Sequence, residues 1–172
     1  MAERIFIGVA WPYANGPLHL GHVAGCYLPA DIFARYHRVR GDEVLMVSRS
    51  DQHGTPISLL AEAQKVSTQQ IVDRYHAEFQ ETWRKLGIGF DLYTNTGTPN
   101  HEAVVHEIFT KFLKDGNIYK DKMPQPYCNT CRRFLPDRYV EGKCPFCGFD
   151  GARGDQCDNC GRPPDPAQLI GI

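Results

Sequence analysis

The sequence predicts an α/β chain in which a parallel sheet wrapped by helices is followed by a small cysteine-rich module. Two short apolar, β-rich runs, "IFIGVA" at 5–10 and "EVLMVS" at 43–48, flank one helical stretch, and two amphipathic helical stretches follow. After residue 117 helical periodicity gives way to prolines, glycines and cysteines. With 172 residues, 42% hydrophobic and 23% charged, the chain can bury one core and carry a second small module. A boundary near residue 117 divides it into 1–117 and 118–172.

Taken in order, "IFIGVA" is a continuous apolar run bounded by Trp11-Pro12, the pattern of a strand buried on both faces. From about Leu18 to Val39, Leu28, Ile32, Phe33 and Tyr36 recur at helical spacing, and Gly41 closes the segment. Pro29 removes one backbone donor there, so it bends or interrupts the helix. "EVLMVS" reads as a second buried strand, parallel to the first through a right-handed crossover. Thr68 caps the next helix, with a stripe of Ile71, Tyr75, Phe79, Trp83 and Leu86 that Gly87 ends. From Thr98-Pro99 to Gly116, Val104, Val105, Ile108, Phe109, Phe112 and Leu113 form another stripe; the aromatics of both stripes read as core. "IYKDKM" at 118–123 reads as a strand.

A net charge of -1 leaves no basic footprint, so nucleic-acid contact would need a local patch. No apolar run approaches the roughly 18 residues of a membrane helix, and the N-terminal apolar stretch is too short for a secretory signal. The cytoplasm is the default expectation, with no membrane partner.

"ANGPLHLGHVAG" at 14–25 places two histidines three apart around a glycine, after the first strand and at the mouth of the first helix. There, unpaired amides and the helix dipole present positive potential to phosphates. His19 and His22 share one face of the turn and can both donate to one anion. Gly21 between them lets a flat base approach the backbone. Past the second strand, "SRSDQHGTPI" sets Asp51 and His53-Gly54 where open α/β sheets bind ligands. Asp51 could hold an ammonium group, and His53-Gly54 a sugar or phosphate; alternatively Asp51 caps the next helix.

Six of seven cysteines form Cys-x-x-Cys pairs: Cys128/Cys131, Cys144/Cys147 and Cys157/Cys160. Tandem pairs without a secretory signal read as ligands of structural Zn2+, in preference to disulfides or a redox dithiol. Four thiolates complete one tetrahedral site, so six make one and a half. Loop-closure entropy separates the possible pairings by only about 0.3 kcal/mol and does not choose among them. Gly148 and Gly161, after the second cysteine of two pairs, suit the tight turn of a metal knuckle. Cys26 stands alone and reads as a small buried apolar residue.

"AWPYANGPLHLGH", "RYHRVRGDEVLMVSRSDQHGTPI" and "FLPDRYVEGKCPFC" together resemble the N-terminal portion of the methionyl-tRNA synthetases, class I aminoacyl-tRNA synthetases, over nearly the whole chain. Trp11 and Gln52 depart from the residues most common in that family. The resemblance implies the first half of a Rossmann-like nucleotide-binding fold over 1–117 and a zinc-binding connective insertion, incomplete at its end, over 118–172. It also implies a ligase that activates methionine with ATP and Mg2+ and transfers it to the acceptor end of tRNA(Met). By that similarity His19 and His22 are catalytic and contact ATP phosphates, with Gly21, His53 and Gly54 also at the nucleotide. Trp11, through its backbone, and Tyr13 wall the methionine side chain, and Asp51 binds its amino group. Cys144, Cys147, Cys157 and Cys160 resemble the zinc knuckle, leaving Cys128 and Cys131 as half of a second site. No lysine-rich KMSKS segment occurs in the chain. The similarity therefore implies an N-terminal fragment that needs the C-terminal remainder of the synthetase and is inactive or very weak alone. The rival reading is a non-catalytic zinc-ribbon nucleic-acid-binding module on an α/β domain, which accounts for the cysteines and Arg132-Arg133 but not for the histidine pair.

Overall fold

The computed structural model describes residues 2–172. Their backbone forms two compact units, one ending at Lys111 and the other spanning Phe112–Ile172.

In the first unit, strands β1 (Arg4–Gly8), β2 (Glu43–Ser50) and β3 (Leu92–Asn95) lie in that order, all parallel. Arg4 pairs with Glu43, and Val47 with Leu92. The crossover between β1 and β2 begins with a single α turn, α1 (Leu20–His22), passes through a π-helical turn at Val23–Tyr27, and continues as α2 (Leu28–Arg40). The π turn is the structural answer to Pro29. The amide of Leu28 donates to the carbonyl of Val23, so hydrogen-bond register changes just where proline would otherwise remove a donor from the helix interior. Gly41, at φ 90°, ends α2 in the left-handed conformation.

α3 (Thr55–Gln64) and α4 (Thr68–Leu86) follow β2, and α5 (Pro99–Lys114) follows β3. Ser67, not Thr68, caps α4, in a reciprocal box with Gln70. Met46, Ala34, Ile57, Ala61, Ile71, Phe79 and Trp83 form the core on one face of the sheet.

Two expectations fail here for one reason. Burial alternates along β1 and β2, so these strands are not covered on both faces: Phe6 is 69% exposed and Leu45 50%. The α5 stripe is also open, with Phe109 54% exposed and no buried residue in the helix. The helices α2 to α4 cover one side of the sheet, and nothing among the described residues buries these apolar positions.

The second unit holds two short antiparallel ladders, β4 (Tyr127–Cys128) with β5 (Arg133–Phe134), and β6 (Glu141–Gly142) with β7 (Ala152–Arg153). Its core is Val140, Cys144, Ala152, Cys157 and Leu169. Residues 118–123 form no strand; Tyr119 and Met123 are 80% and 72% exposed, and the charged Lys120-Asp121-Lys122 between them offers no face to bury. No helix of the described residues is long and apolar enough to cross a membrane.

Candidate functional site

The carboxyl ends of the three strands are laced together. Beyond β1, Ser48 Oγ donates to the carbonyls of Val9 at 3.1 Å and Ala10 at 3.3 Å, and Tyr27 Oη donates to Ala10 at 3.1 Å. The parallel ladder then resumes for one step. Asp51 donates its amide to Pro12 O, and Ala14 its amide to Asp51 O, both at 2.8 Å. This holds Trp11 and Tyr13 beside Asp51. The Asp51 carboxylate is half-buried and accepts the His53 amide at 3.2 Å, forming a local turn. It does not cap α3, whose N-cap is Gly54.

Gly54 has φ 128°, and a Cβ there would stand 2.9 Å from the Tyr13 hydroxyl. Glycine is thus required twice, by the backbone and by the ring that lies against it. Thr96, just beyond β3, ties in the third strand: its hydroxyl accepts the Gln52 amide at 2.8 Å, and its carbonyl lies 3.1 Å from His53 Nε2. A carbonyl only accepts, so His53 carries its proton on Nε2.

Two clefts open along these exits. One of about 340 Å³ is lined by His53, Thr96, Gly97, His101, Glu102 and His106, among others. The other, about 490 Å³, runs along the open sheet face and includes Gly8, Ala10, Trp11, Arg49, Leu92 and Asn100. Thr96, His101, Glu102 and His106 escape a reading of the sequence because β3, only four residues long and half polar, carries no strand pattern, with "NTGTP" at 95–99 the available turn signal; Arg49, at the end of the recognised strand β2, escapes it because a lone arginine there belongs to no motif.

His19, Gly21 and His22 form a second set. His19 is the N-cap of α1, and the two rings are exposed and stacked, with centroids 3.7 Å apart at 26°. Each Nδ1 accepts the other residue's backbone amide, at 3.3 Å for His22 and 3.4 Å for His19. In the neutral rings the proton therefore sits on Nε2, which is left to donate outward. Burial, and then the neighbouring His19 ring, hold His22 below the ordinary histidine range. A Cβ on Gly21 would lie 2.9 Å from Cε1 of His19, so the glycine makes room for that ring.

In the second unit the Sγ atoms of Cys144, Cys147, Cys157 and Cys160 all lie within 4.8 Å of one another, and the group could hold a metal ion. Cys144 and Cys160 are 3.9 Å apart, Cys147 and Cys157 3.6 Å. Four thiolates about 2.3 Å from a tetrahedral zinc stand about 3.8 Å from one another, so the cluster has zinc-sized dimensions. Gly148 and Gly161, at φ 75° and 70°, close the two knuckles by donating to Cys144 O and Cys157 O. The Asn159 amide, then the Phe149 backbone, pull the Cys147 thiol down to about 6, while at Cys160 the pull of the Arg162 backbone is outweighed by burial and the neighbouring thiols, which push its thiol up to about 11. Cys128 and Cys131 form a separate turn in which the Cys131 amide donates to Cys128 Sγ at 3.3 Å. Among the described residues no third metal-ligating group joins them.

The family described as tRNA synthetases class I (M) matches residues 5–171. The methionine--tRNA ligase of Dehalococcoides mccartyi is 62% identical over 170 residues, which are 99% of this chain and 31% of that protein. That of Thermoplasma volcanium is 56% identical over 167 residues, 97% of this chain and 31% of the relative. Mycobacterium tuberculosis methionyl-tRNA synthetase in complex with methionyl-adenylate superposes with a TM-score of 0.72 at 25% identity, covering 94% of this chain and 30% of that one. A leucyl enzyme of Agrobacterium radiobacter shares the fold, with a TM-score of 0.69. The chain thus spans about a third of the length of the curated relatives it matches. On this match, the chain belongs to the class I tRNA synthetases of the methionine group.

Proposed function

We propose that the chain forms the amino-acid-facing and phosphate-facing half of the active site of a methionine–tRNA ligase. The observation that carries the reading is the contiguous set Trp11, Tyr13, Asp51, His53 and Gly54 at the carboxyl ends of parallel strands, in a chain whose crossover helix opens on an exposed imidazole pair. In the first step the methionine carboxylate attacks the α-phosphorus of ATP, and pyrophosphate leaves as methionyl-adenylate forms. In the second, the 3′ end of tRNA(Met) takes the methionyl group and AMP leaves.

Asp51 holds the substrate ammonium group, and Tyr13 with the Trp11 segment encloses a thioether that offers shape and polarizability but no strong hydrogen bond. His19 and His22 present two Nε2–H donors to the phosphates, with Gly21 leaving the backbone open to the nucleotide and His53-Gly54 bordering it. Burial and the neighbouring His19 ring disfavour the charged form of His22, and the pair meets the phosphates as two neutral N–H donors. Mg2+ accompanies ATP as its counter-ion.

An anion at a helix N-terminus gains about 0.3–2 kcal/mol, whereas enzymic acceleration needs at least about 8 kcal/mol. The imidazole turn therefore works only with groups outside this chain, and the 172 residues alone form adenylate very poorly or not at all. Residues 118–172 act as a connective insertion shaping the approach of the tRNA acceptor end. Cys144, Cys147, Cys157 and Cys160 would hold its structural zinc, which organises the knuckles and leaves no open position for chemistry.

Methionine-dependent ATP–pyrophosphate exchange by the protein that carries this chain, measured with His22→Ala, tests the reading. Removing one phosphate donor should lower kcat about 10²-fold or more. Unchanged turnover would remove the imidazole pair from the mechanism.

A further inference from the structure

Arg49 stands on β2 two residues before Asp51, and its guanidinium makes two contacts at once. Its Cζ lies 3.9 Å from the centroid of the Trp11 indole. Its Nη1 lies 2.8 Å from Nδ1 of His101, at the start of α5. Arginine has no acceptor, so it donates, and His101 must be a neutral ring with its proton on Nε2. The pair also stands between the two clefts: Arg49 and Trp11 line the larger, His101 the smaller.

Trp11 is 47% exposed, yet the backbone on either side of it is tied, through Ala10 to Ser48 and through Pro12 to Asp51. The chain path is set, and the rotamer of the indole then depends on what lies against the ring. We propose that Arg49 is a positioning residue for the amino-acid site: braced by His101, it clamps the Trp11 indole and so presents a preformed wall to the substrate side chain. The proposal rests on the reading of Tyr13, Asp51 and the Trp11 backbone as that site, and adds the Trp11 indole to its wall. A thioether is recognised by shape, so a wall that must first be ordered costs affinity directly. Only a planar guanidinium can lie flat on an indole and keep an in-plane N–H for an imidazole; an ammonium cannot do both.

Arg49→Met in the intact protein should raise KM for methionine about three- to tenfold, the cost of ordering one large side chain. kcat and KM for ATP should stay within about twofold. Arg49→Lys, which keeps charge but not plane, should give the same rise, and it carries the test if Arg49→Met does not fold. In a Trp11→Leu background Arg49→Met should add almost nothing, because the ring to be clamped is gone.

An unchanged methionine KM, a uniform loss in kcat and both KM values, or additive effects with Trp11→Leu would overturn the proposal. Asp51→Asn separates it from the reading beneath it. If that variant raises KM for methionine while Arg49→Met does not, the clamp alone is wrong; if Asp51→Asn has no effect, the site assignment falls and takes the clamp with it.

Discussion

Gly54→Ala tests whether the second strand exit is shaped by the backbone or merely crowded. Gly54 has φ 128° and ψ 163°, a conformation in which an L side chain costs about 1–3 kcal/mol. The added Cβ would also stand 2.9 Å from the Tyr13 hydroxyl, so that ring must leave its rotamer, at about 0.5–1.5 kcal/mol. The sum, about 2–4 kcal/mol, corresponds to a drop of about 5–15 °C in the unfolding midpoint of a chain this size. Gly97→Ala is the matched control. A Cβ there would meet Gln52 Oε1 at 2.6 Å, an even closer approach, but that atom is the end of a flexible side chain and Gly97 has no left-handed φ. It should cost under about 1 kcal/mol. Thermal unfolding followed by circular dichroism reads both. Equal losses in the two variants, or none in Gly54→Ala, would refute the backbone argument.

His76 is held below the ordinary histidine range chiefly by burial, with Asp73 opposing, while its Nδ1 lies 2.7 Å from Ser50 Oγ. The unfolded chain then binds more protons than the folded one below the free-histidine pKa of about 6.5. The stability His76 contributes is full above that value and is lost on acidification, so urea midpoints should fall from pH 7.5 to pH 5.5, and His76→Gln should flatten the slope; an equally steep slope in the variant contradicts the assignment. With zinc proposed at Cys144, Cys147, Cys157 and Cys160, a chelator should make these thiols reactive and disorder the second unit, whose core includes Cys144 and Cys157. Thiol titration that gives the same reactive count with and without zinc would count against metal binding. Ser67→Ala, which breaks the cap on α4, should cost about 1 kcal/mol, and Phe79→Ala, fully buried in the same helix, about 3–5 kcal/mol by denaturant unfolding. A reversed order would mean that α4 is held by its end and not by its packed face.

What could be read from the sequence was what neighbours in the chain decide. The apolar runs of β1 and β2, the glycine stops at Gly41 and Gly87, and the knuckles of Cys144 to Cys160 depend on residues a few positions apart, so their pattern is visible without a fold. Pro29 was legible as an interruption but not as a π turn, because the remedy lies in the bonding register upstream of it. The reading of the strands as buried on both faces failed at Phe6 and Leu45 for a deeper reason. An apolar run records that both faces avoid water somewhere, and it is silent on whether the covering layer belongs to the same stretch of chain. Among the described residues the apolar positions of β1, β2 and α5 stay exposed, which a sequence pattern cannot reveal because it does not show what packs against it. The Trp11–Arg49–His101 contact lies beyond any local pattern, since three elements must be placed before the guanidinium finds its ring and its acceptor. For this chain the candidate site residues lie in short motifs, whereas the contacts around them come into view only when the strand exits are assembled.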